Sequence, residues 1–546
     1  MGDGRWYLKE DVYFEPLFNH WYAWPYLIQP ATAARHTANT HLRIMKAFVN
    51  NYRVHILANK ERDLAGSEYL DCREDQVPAI KALVAELETN CAPLLKLSQA
   101  INELEDLLRA HTSGESIEPL YSAVPVPLKG LVELFMDGNH HASYRFIEPL
   151  LYRSAYFKKE LQSLSFGLLS RVEQRPFVFS TPRLPDENHV QVAIDFNHPG
   201  VDRLFKAREA PLSDNELAAL TALPSKGGLT LSDLFTQQAP KHRHVRVEDG
   251  VRVSYLGHAG FMIESPWLTI MVDPVIPSRS EREGEQLISF SELPPRIDYI
   301  CLTHSHQDHV NIETLLQLRY KTDKVLVPKN NGGGLFDPSL KLMLQTLHFD
   351  VMEAEDLEEF QVTGGKIVAI PFLGEHGDLP IRSKTAWYFE LHGRKFFFGA
   401  DSSNLENGLY GKLSAWYRDF DIFAVGMECV GAPYTWLYGA LTTRTVAKNI
   451  KNSRRLNGSD FEKAFPMVLA FNPKRVFVYA LGLEPWYKYF CGLEYDDDSK
   501  QIVESGKMVE ACRQKGIDAE CMYGKRTLEF AAAQGSGPWD VMSGGT

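Results

Sequence analysis

Three histidines and one aspartate fall within six positions of the sequence, at His304, His306, Asp308 and His309. They follow residues 299–303, an apolar run that predicts a buried β-strand. Side chains alternate along a strand, so His304 and His306 point the same way, and the loop after them can offer Asp308 and His309 to a second centre. Burying three imidazoles and a carboxylate without a cation is costly. The pattern therefore predicts a site for two metal ions rather than a solvated histidine-rich loop.

The order and spacing of this motif resemble the metallo-β-lactamase superfamily, in which H-x-H-x-D-H follows a strand. Two further segments support the resemblance: residues 257–261, Gly-His-Ala-Gly-Phe, and residues 272–274, Val-Asp-Pro. The resemblance covers about residues 250–480. The fold that it implies is α/β, an αββα sandwich of two sheets between helical layers, with the metals at one sheet edge.

The sequence departs from the usual two-zinc pattern of this superfamily, which adds a histidine in a third segment, a bridging aspartate and a late histidine. Asp401 ends the strand-like residues 398–401 and matches the bridging aspartate. The third segment, residues 372–378, contains both Glu375 and His376. No histidine occurs after position 392, so the late ligand is absent.

The choice between Glu375 and His376 decides which metal the site prefers. Carboxylate-rich ligand sets favour harder ions, whereas imidazole-rich sets suit zinc. With Glu375 the set holds three histidines and three carboxylates, which indicates two iron ions; with His376 the alternative is two zinc ions. The missing late ligand leaves an open coordination position, which chemistry with O2 requires.

The full pattern, with a glutamate in the third segment and no late histidine, resembles the diiron β-hydroxylases of chloramphenicol biosynthesis. In that family a helix-rich domain precedes the metallo-β-lactamase domain. The resemblance implies a nonheme diiron monooxygenase that uses O2 to hydroxylate the β-carbon of an aminoacyl group, carried as a thioester on a nonribosomal peptide synthetase domain. It implies that Glu375 and Asp401 are catalytic. The implied iron ligands are His304, His306 and Glu375 for one ion, Asp308 and His309 for the other, and Asp401 between them.

Four nearby residues have roles that the sequence leaves open. Glu428, which follows an apolar strand, is either an extra or shifting metal ligand or an acid outside the ligand set. His258 and Asp273 are expected to orient ligands through hydrogen bonds rather than to bind metal. His376 is expected to lie beside the site, with direct metal binding as the alternative.

The elements that position these residues change in character along the 546-residue chain. Residues 1–205 predict a helix-rich α+β domain, residues 206–245 a linker and residues 246–530 the catalytic domain of short strands and helices. Residues 531–546 predict a disordered tail.

Within these regions the apolar spacing predicts individual elements. Apolar residues recur at three- and four-residue steps over residues 80–108, which indicates one or two helices. Further helices are predicted over residues 131–156, 312–319 and 442–451, and a strand over residues 189–196.

Composition limits the partners. A net charge of -12 argues against sequence-independent binding to nucleic acid, which needs a basic surface. No uncharged apolar run reaches the ~18 residues of a membrane span, and the N-terminus lacks the apolar run of a secretory signal. The seven cysteines form no C-x-x-C pair, which is typical of a reduced chain. These features predict a cytoplasmic protein with neither nucleic acid nor membrane as a partner.

The expected partners follow from the resemblance. They are a carrier domain with a phosphopantetheine-bound amino acid and an external electron donor, because no flavin or nicotinamide fingerprint occurs. A homodimer through the N-terminal domain is a plausible assembly. A basic cluster is a candidate docking surface for an acidic carrier domain, although a solvated helix face is the simpler interpretation; it comprises Arg444, Lys448, Lys451, Arg454 and Arg455.

The rival function is a dinuclear zinc hydrolase of a phosphodiester, a thioester or a lactone. Such an enzyme uses a metal-bound hydroxide as its nucleophile. It shares the H-x-H-x-D-H motif, but it does not explain Glu375 or the missing late histidine.

Overall fold

The computed structural model describes residues 4–61, 68–172, 174–279, 286–492 and 494–533. Most of the predicted disordered tail, from residue 534 onward, lies outside these ranges. Within them, Ala533 donates a backbone hydrogen bond of 3.0 Å to the carbonyl of His392. Among the described residues, no helix combines the length and the apolar content that crossing a membrane demands.

The N-terminal half is built on a five-stranded antiparallel sheet. Its strands, in spatial order, are Trp21–Tyr22, Val12–Phe18, Gln162–Leu168, His189–Val192 and Ser225–Gly227. Two shorter antiparallel pairs join Tyr7–Leu8 to Phe235–Thr236 and Val132–Met136 to Ala142–Phe146. Residues 206–245 therefore supply two strands that pair with N-terminal strands. The domain boundaries inferred from the sequence stay a prediction.

Helices pack on this sheet and bury one large hydrophobic cluster with it. Two of them, Val77–Asn90 and Ala92–Ala110, confirm the helices predicted from the apolar spacing. A π-helical turn, Thr37–Leu42, separates two others. The α-helices of this half are Pro25–Ile28, Pro30–His36, Arg43–Ala58, Val77–Asn90, Ala92–Ala110, Glu148–Tyr152, Pro199–Lys206 and Asp214–Thr221.

The helix predicted over residues 131–156 is wrong. The chain forms a β-hairpin there, followed by the short helix Glu148–Tyr152. Val132 and Leu134 are buried while Glu133 between them is exposed, which is the two-residue period of a strand. Asp137-Gly138, at the turn between the two strands, is a hairpin signal that the helix prediction overlooked.

The C-terminal half contains two seven-stranded sheets. The first has the strand order Val351–Ala354, Thr322–Pro328, Ile297–Cys301, Leu268–Val272, Gly260–Ser265, Val251–Gly257 and Arg526–Phe530. The second has the order Glu359–Val362, Gly365–Ile370, Ala386–Leu391, Arg394–Phe398, Ile422–Gly426, Arg475–Tyr479 and Asp518–Cys521.

The two sheets face each other across an apolar core in which the rings of Phe261 and Phe398 lie 4.5 Å apart. Helices cover both outer faces and complete the four layers. This arrangement confirms the αββα sandwich that the sequence predicts. The helices are Ile312–Leu318, Leu340–Thr346, Gly408–Leu413, Thr435–Tyr438, Lys448–Ser453, Phe461–Phe471, Lys488–Cys491 and Lys500–Gln514.

One helix of this half begins later than predicted. Residues 442–447 are not helical, and the helix starts at Lys448 instead of position 442. Instead, the Thr442 carbonyl accepts a hydrogen bond of 2.7 Å from Arg35, in the N-terminal half, a contact that the sequence hides.

Candidate metal centre

The motif histidines occupy a loop between strand Ile297–Cys301 and helix Ile312–Leu318. His304, His306 and His309 are each at most 4% exposed. The loop therefore places three imidazoles inside the protein, as the sequence predicts, rather than in solvent.

A first group of side chains comprises His304, His306, Glu375 and Asp401, with one ligand atom of each within 4.8 Å of all the others. Nδ1 of His306 lies 3.2 Å from Nε2 of His304 and 2.9 Å from Oε1 of Glu375. The strand and loops that carry these residues lie far apart in the sequence. The fold brings four of the six predicted ligands to one point.

A second group comprises His258, Asp308 and His309, again with ligand atoms within 4.8 Å. Nε2 of His258 lies 3.1 Å from Oδ2 of Asp308. Oδ2 of Asp401 lies 3.1 Å from Nε2 of His309 and 3.8 Å from Nε2 of His304, so that it stands between the two groups. This is the place of a bridging carboxylate. Sequence reasoning placed His258 outside the ligand set, and the geometry is compatible with either role.

The residues present fit two cations. Burial and then the carboxylates of Asp401, Glu375 and Asp308 raise the pKa of Glu428 well above its usual range. Four acids converge on one buried site, and such acids repel one another unless positive charge lies between them. Oδ1 of Asp401 is buried and has no hydrogen-bond partner among the described residues. Free lone pairs on a mixed set of imidazoles and carboxylates suit iron.

The geometry also distinguishes Glu375 from His376. Oε1 of Glu375 belongs to the first group, whereas Nδ1 of His376 lies 2.8 Å from Oε2 of the same glutamate and contributes no atom to either group. This favours the acid as the ligand from the third segment. The ligand assignment itself stays a prediction.

Asp273 holds His309. Its Oδ1 accepts the backbone N–H of Thr303 at 2.8 Å, and its Oδ2 lies 2.7 Å from Nδ1 of His309. A hydrogen on Nδ1 leaves Nε2 with a free lone pair that points at Asp401. This is the orienting role that the sequence predicts for Asp273.

Several of these side chains stand on left-handed backbone, which non-glycine residues seldom adopt. The φ values are 72° for Glu375, 50° for His258, 40° for Asp273, 49° for Ala400 and 58° for Ala480. Three of them, His258, Asp273 and Ala480, directly follow the end of a strand. Strained backbone of this kind is typical of functional sites, where the surrounding fold holds it in place.

A cavity adjoins the two groups and is walled mainly by apolar side chains. Its lining includes Phe177, Phe179, Trp436, Leu437 and Phe490, together with Asp308, Glu375, Asp401 and Glu428. Ala480 and Leu481 line it at the end of strand Arg475–Tyr479, where the superfamily's late histidine was sought in the sequence. Apolar side chains therefore line the cavity where that histidine was sought.

Tyr438 is the residue that sequence reasoning missed. Its hydroxyl oxygen lies 2.7 Å from Nε2 of His306 and 3.0 Å from Nδ1 of His376. It lies 132 positions from His306. No local pattern marks it, because a lone tyrosine in an aromatic segment has the same appearance as a core residue.

Two family models match the chain. Residues 7–240 match the N-terminal domain of diiron non-heme β-hydroxylases, and residues 269–434 match a β-lactamase superfamily domain. A similar curated protein is the 4-amino-L-phenylalanyl-[CmlP-peptidyl-carrier-protein] 3-hydroxylase of Streptomyces venezuelae. It is 36% identical over 535 residues, which cover 96% of this chain and 100% of the relative.

Solved structures give the same result. The crystal structure of CmlA, a diiron β-hydroxylase from Streptomyces venezuelae, has a TM-score of 0.89 and 34% identity, and covers 97% of this chain and 100% of its own. A metal-dependent hydrolase of Brucella ovis matches only 26% of this chain and 68% of itself, at 27% identity. The relative that spans both halves confirms the resemblance inferred from the sequence and the prediction of two iron ions. This chain belongs to the family of diiron non-heme β-hydroxylases.

Proposed function

We propose that this protein hydroxylates the β-carbon of an aminoacyl group that is bound as a thioester to a peptide-synthetase carrier domain. The setting is the biosynthesis of an antibiotic or another natural product. The observation that carries the proposal is the buried contact between Glu375 and His306, combined with an apolar wall at Ala480. Together they indicate a carboxylate-rich set of metal ligands in which one coordination position is open.

The proposed ligands follow the two groups of side chains. His304, His306 and Glu375 hold one iron, Asp308 and His309 hold the other, and Asp401 lies between them. Glu428, whose carboxyl faces the other acids, is available as a further or alternative ligand. His258 either orients Asp308 or completes the second group.

Two bound irons supply the activation of O2 that replacing a C–H bond by C–OH requires. The protein's part is to hold and orient. Asp273 fixes the tautomer of His309, and the aromatic side chains Phe177, Phe179 and Phe490 exclude water from the substrate carbon. One oxygen atom of O2 enters the product and the other leaves as water, so each turnover consumes two electrons and two protons from an external donor.

A carrier-bound substrate needs a path to the cavity. An open cleft, which Asn452, Arg455 and Lys488 help to line, shares Phe177, Ala432 and Trp436 with the cavity. A long flexible arm entering by this cleft reaches the metal groups while its carrier domain stays outside.

Only part of the predicted basic cluster is available as a docking surface. Lys451 pairs with Glu68 at 2.9 Å, and Arg454 donates to the Gly377 carbonyl at 2.8 Å, so these two are engaged within the protein. Arg444 and Lys448 are exposed. We propose that these two, rather than the whole cluster, steer an acidic carrier domain.

The proposal is tested with protein reconstituted anaerobically with Fe(II), then supplied with O2, a reductant and a carrier domain loaded with an amino acid. We expect about two irons per chain and a carrier-bound product heavier by one oxygen atom. Tight binding of two zinc ions, with release of the amino acid from its thioester instead, would establish the hydrolase alternative.

A further inference from the structure

Tyr438 ends the helix Thr435–Tyr438 and is fully buried beside the first group of side chains. Its hydroxyl oxygen lies 2.7 Å from Nε2 of His306, while Nδ1 of the same imidazole faces Glu375 at 2.9 Å. Both nitrogens of His306 are thus held. The ring cannot turn about its bond to Cβ without losing both contacts.

The chemistry of an imidazole ligand gives this contact a direction. When Nδ1 offers its lone pair to a metal, Nε2 carries the hydrogen and donates it to the phenol oxygen of Tyr438. Partners of this kind fix the tautomer and the ring orientation of a ligand, and their loss typically lowers metal affinity about 10- to 100-fold.

The segment after Tyr438 is held by the N-terminal half of the chain. Arg35 is 1% exposed, and it donates from Nε to the Ala440 carbonyl at 3.2 Å and from Nη2 to the Thr442 carbonyl at 2.7 Å. Asn39 donates from Nδ2 to the same Ala440 carbonyl at 2.7 Å. A buried guanidinium needs such acceptors, so this contact resists displacement.

Arg35 is itself fixed from the other side. Its Nη1 donates to the carbonyl of Ser98 at 3.0 Å and to Oδ1 of Asn102 at 2.8 Å, both on the helix Ala92–Ala110. The ring of Tyr26, also from the N-terminal half, packs edge-on against Tyr438 with centroids 5.7 Å apart. Tyr438 therefore lies between His306 and a rigid part of the N-terminal half.

We propose that Tyr438 is a positioning residue for His306 and that Arg35 and Asn39 determine where Tyr438 lies. The N-terminal helices then set how tightly the metal nearest His306 is held. This inference rests on the proposed role of His306 as an iron ligand. It gives the N-terminal half a role in metal binding, in addition to any role in binding partners.

The first experiment measures metal affinity by competition with a chelator, using Fe(II) without O2 and, separately, Co(II). We expect Tyr438→Phe to weaken one of the two sites about 10- to 100-fold and to shift its Co(II) absorption bands. The matched control is Tyr152→Phe, because that hydroxyl is buried without a hydrogen-bond partner among the described residues. Equal affinities and spectra for Tyr438→Phe and the wild-type protein would overturn the proposal.

The second experiment asks whether the N-terminal half acts through Tyr438. Asn39 is partly exposed, so Asn39→Ala leaves the fold intact, and thermal unfolding checks this. We expect it to weaken the same site about three- to tenfold, the effect of one hydrogen bond. In the Tyr438→Phe background the same change should have no further effect. Additive losses would show that the two residues act independently and would contradict the proposal.

The wild-type protein separates this inference from the proposed function. Fewer than two bound irons, or no hydroxylated product, would contradict the proposed function. Two bound irons and normal hydroxylation, with an unchanged Tyr438→Phe variant, would contradict only the role of Tyr438.

Discussion

Oε1 of Glu375 lies 2.9 Å from Nδ1 of His306, although Glu375 stands on left-handed backbone with φ 72°. Two contacts hold the loop in this shape. The Nζ of Lys384 donates to the Gly374 carbonyl at 2.9 Å, and Gly374 lies so close to Ser403 that a side chain there would meet its Cβ at 2.4 Å. The fold thus accepts local strain in order to direct a carboxylate at the imidazole.

Glu375→Gln should weaken the binding of iron by the first group of side chains. The amide removes the negative charge that offsets the cation, so we expect the affinity for one iron to fall about 10- to 100-fold and hydroxylation to fall with it. Chelator competition measures the first effect. The control is Asp378→Asn, three residues away, whose side chain is 79% exposed. An iron content unchanged by Glu375→Gln would remove Glu375 from the ligand set.

His258→Asn tests the second group. Asparagine tolerates left-handed backbone, so the turn at φ 50° should survive the change. Loss of the imidazole beside Asp308 should weaken one metal site about 10- to 100-fold, whether it orients or binds. His348→Asn is the control, because this exposed histidine has a φ of 63° and lies outside both groups. Equal metal affinity in both variants would assign His258 to neither role.

A buried ion network joins the two halves and should make stability depend on pH. Arg175 bridges Glu15 at 2.8 Å and Glu313 at 2.7 Å, and Arg183 also donates to Glu15. Burial raises the pKa of Glu15, but Arg183 and Arg175 outweigh it and lower the pKa to about 2. The usual value is 4.5, and the difference between the two values corresponds to about 3 kcal/mol.

Because the folded-state pKa of Glu15 is depressed, its stabilisation is present above about pH 4.5 and is lost as the pH falls towards 2. Glu15→Gln should therefore lower the free energy of unfolding by about 3 kcal/mol near neutral pH and by much less near pH 2 to 3. Urea unfolding at several pH values measures this. Glu133→Gln, which breaks an exposed pair with Arg145, should change stability by less than about 1 kcal/mol at every pH.

Reversing charge at the exposed end of the basic cluster tests carrier docking. Arg444→Glu with Lys448→Glu should raise KM for the carrier-bound substrate about tenfold and leave kcat unchanged, because electrostatic steering acts on encounter. The effect should shrink as salt rises. Lys515→Glu with Lys525→Glu, two exposed lysines elsewhere in the sequence, should leave KM unaltered. The same rise in KM from both pairs would indicate a general charge effect and no docking site.

The ligand candidates could be predicted because the motif that carries most of them is local, and the resemblance of that motif to the superfamily implies the sandwich. An apolar strand ahead of His304 and an acid after another strand at Asp401 need no knowledge of distant residues. The hairpin at residues 132–146 was predicted as a helix, although Asp137-Gly138 between its two strands is a turn signal.

Contacts between the halves were hidden for a different reason. Tyr438 meets His306 across 132 positions, and Arg35 meets Ala440 across 405. Neither Tyr438 nor Arg35 stands out in its local sequence. Tyr438 ends a short helix that is rich in aromatic residues, and Arg35 is a cation in a helix whose sequence has no unusual feature. Only the packing of the N-terminal helices against the catalytic half gives them a role.

Ala480→His would restore the late imidazole that zinc enzymes of the superfamily have. Ala480 lines the cavity together with Asp308, and its φ of 58° is one that histidine tolerates. The new side chain should occupy the open position, raise zinc affinity about tenfold or more and lower hydroxylation by a similar factor. Ala480→Asn is the control, since it adds a polar side chain of smaller size that binds zinc poorly. If Ala480→His keeps wild-type hydroxylation with two bound irons, the open position lies elsewhere, and the missing late ligand does not explain the choice of chemistry.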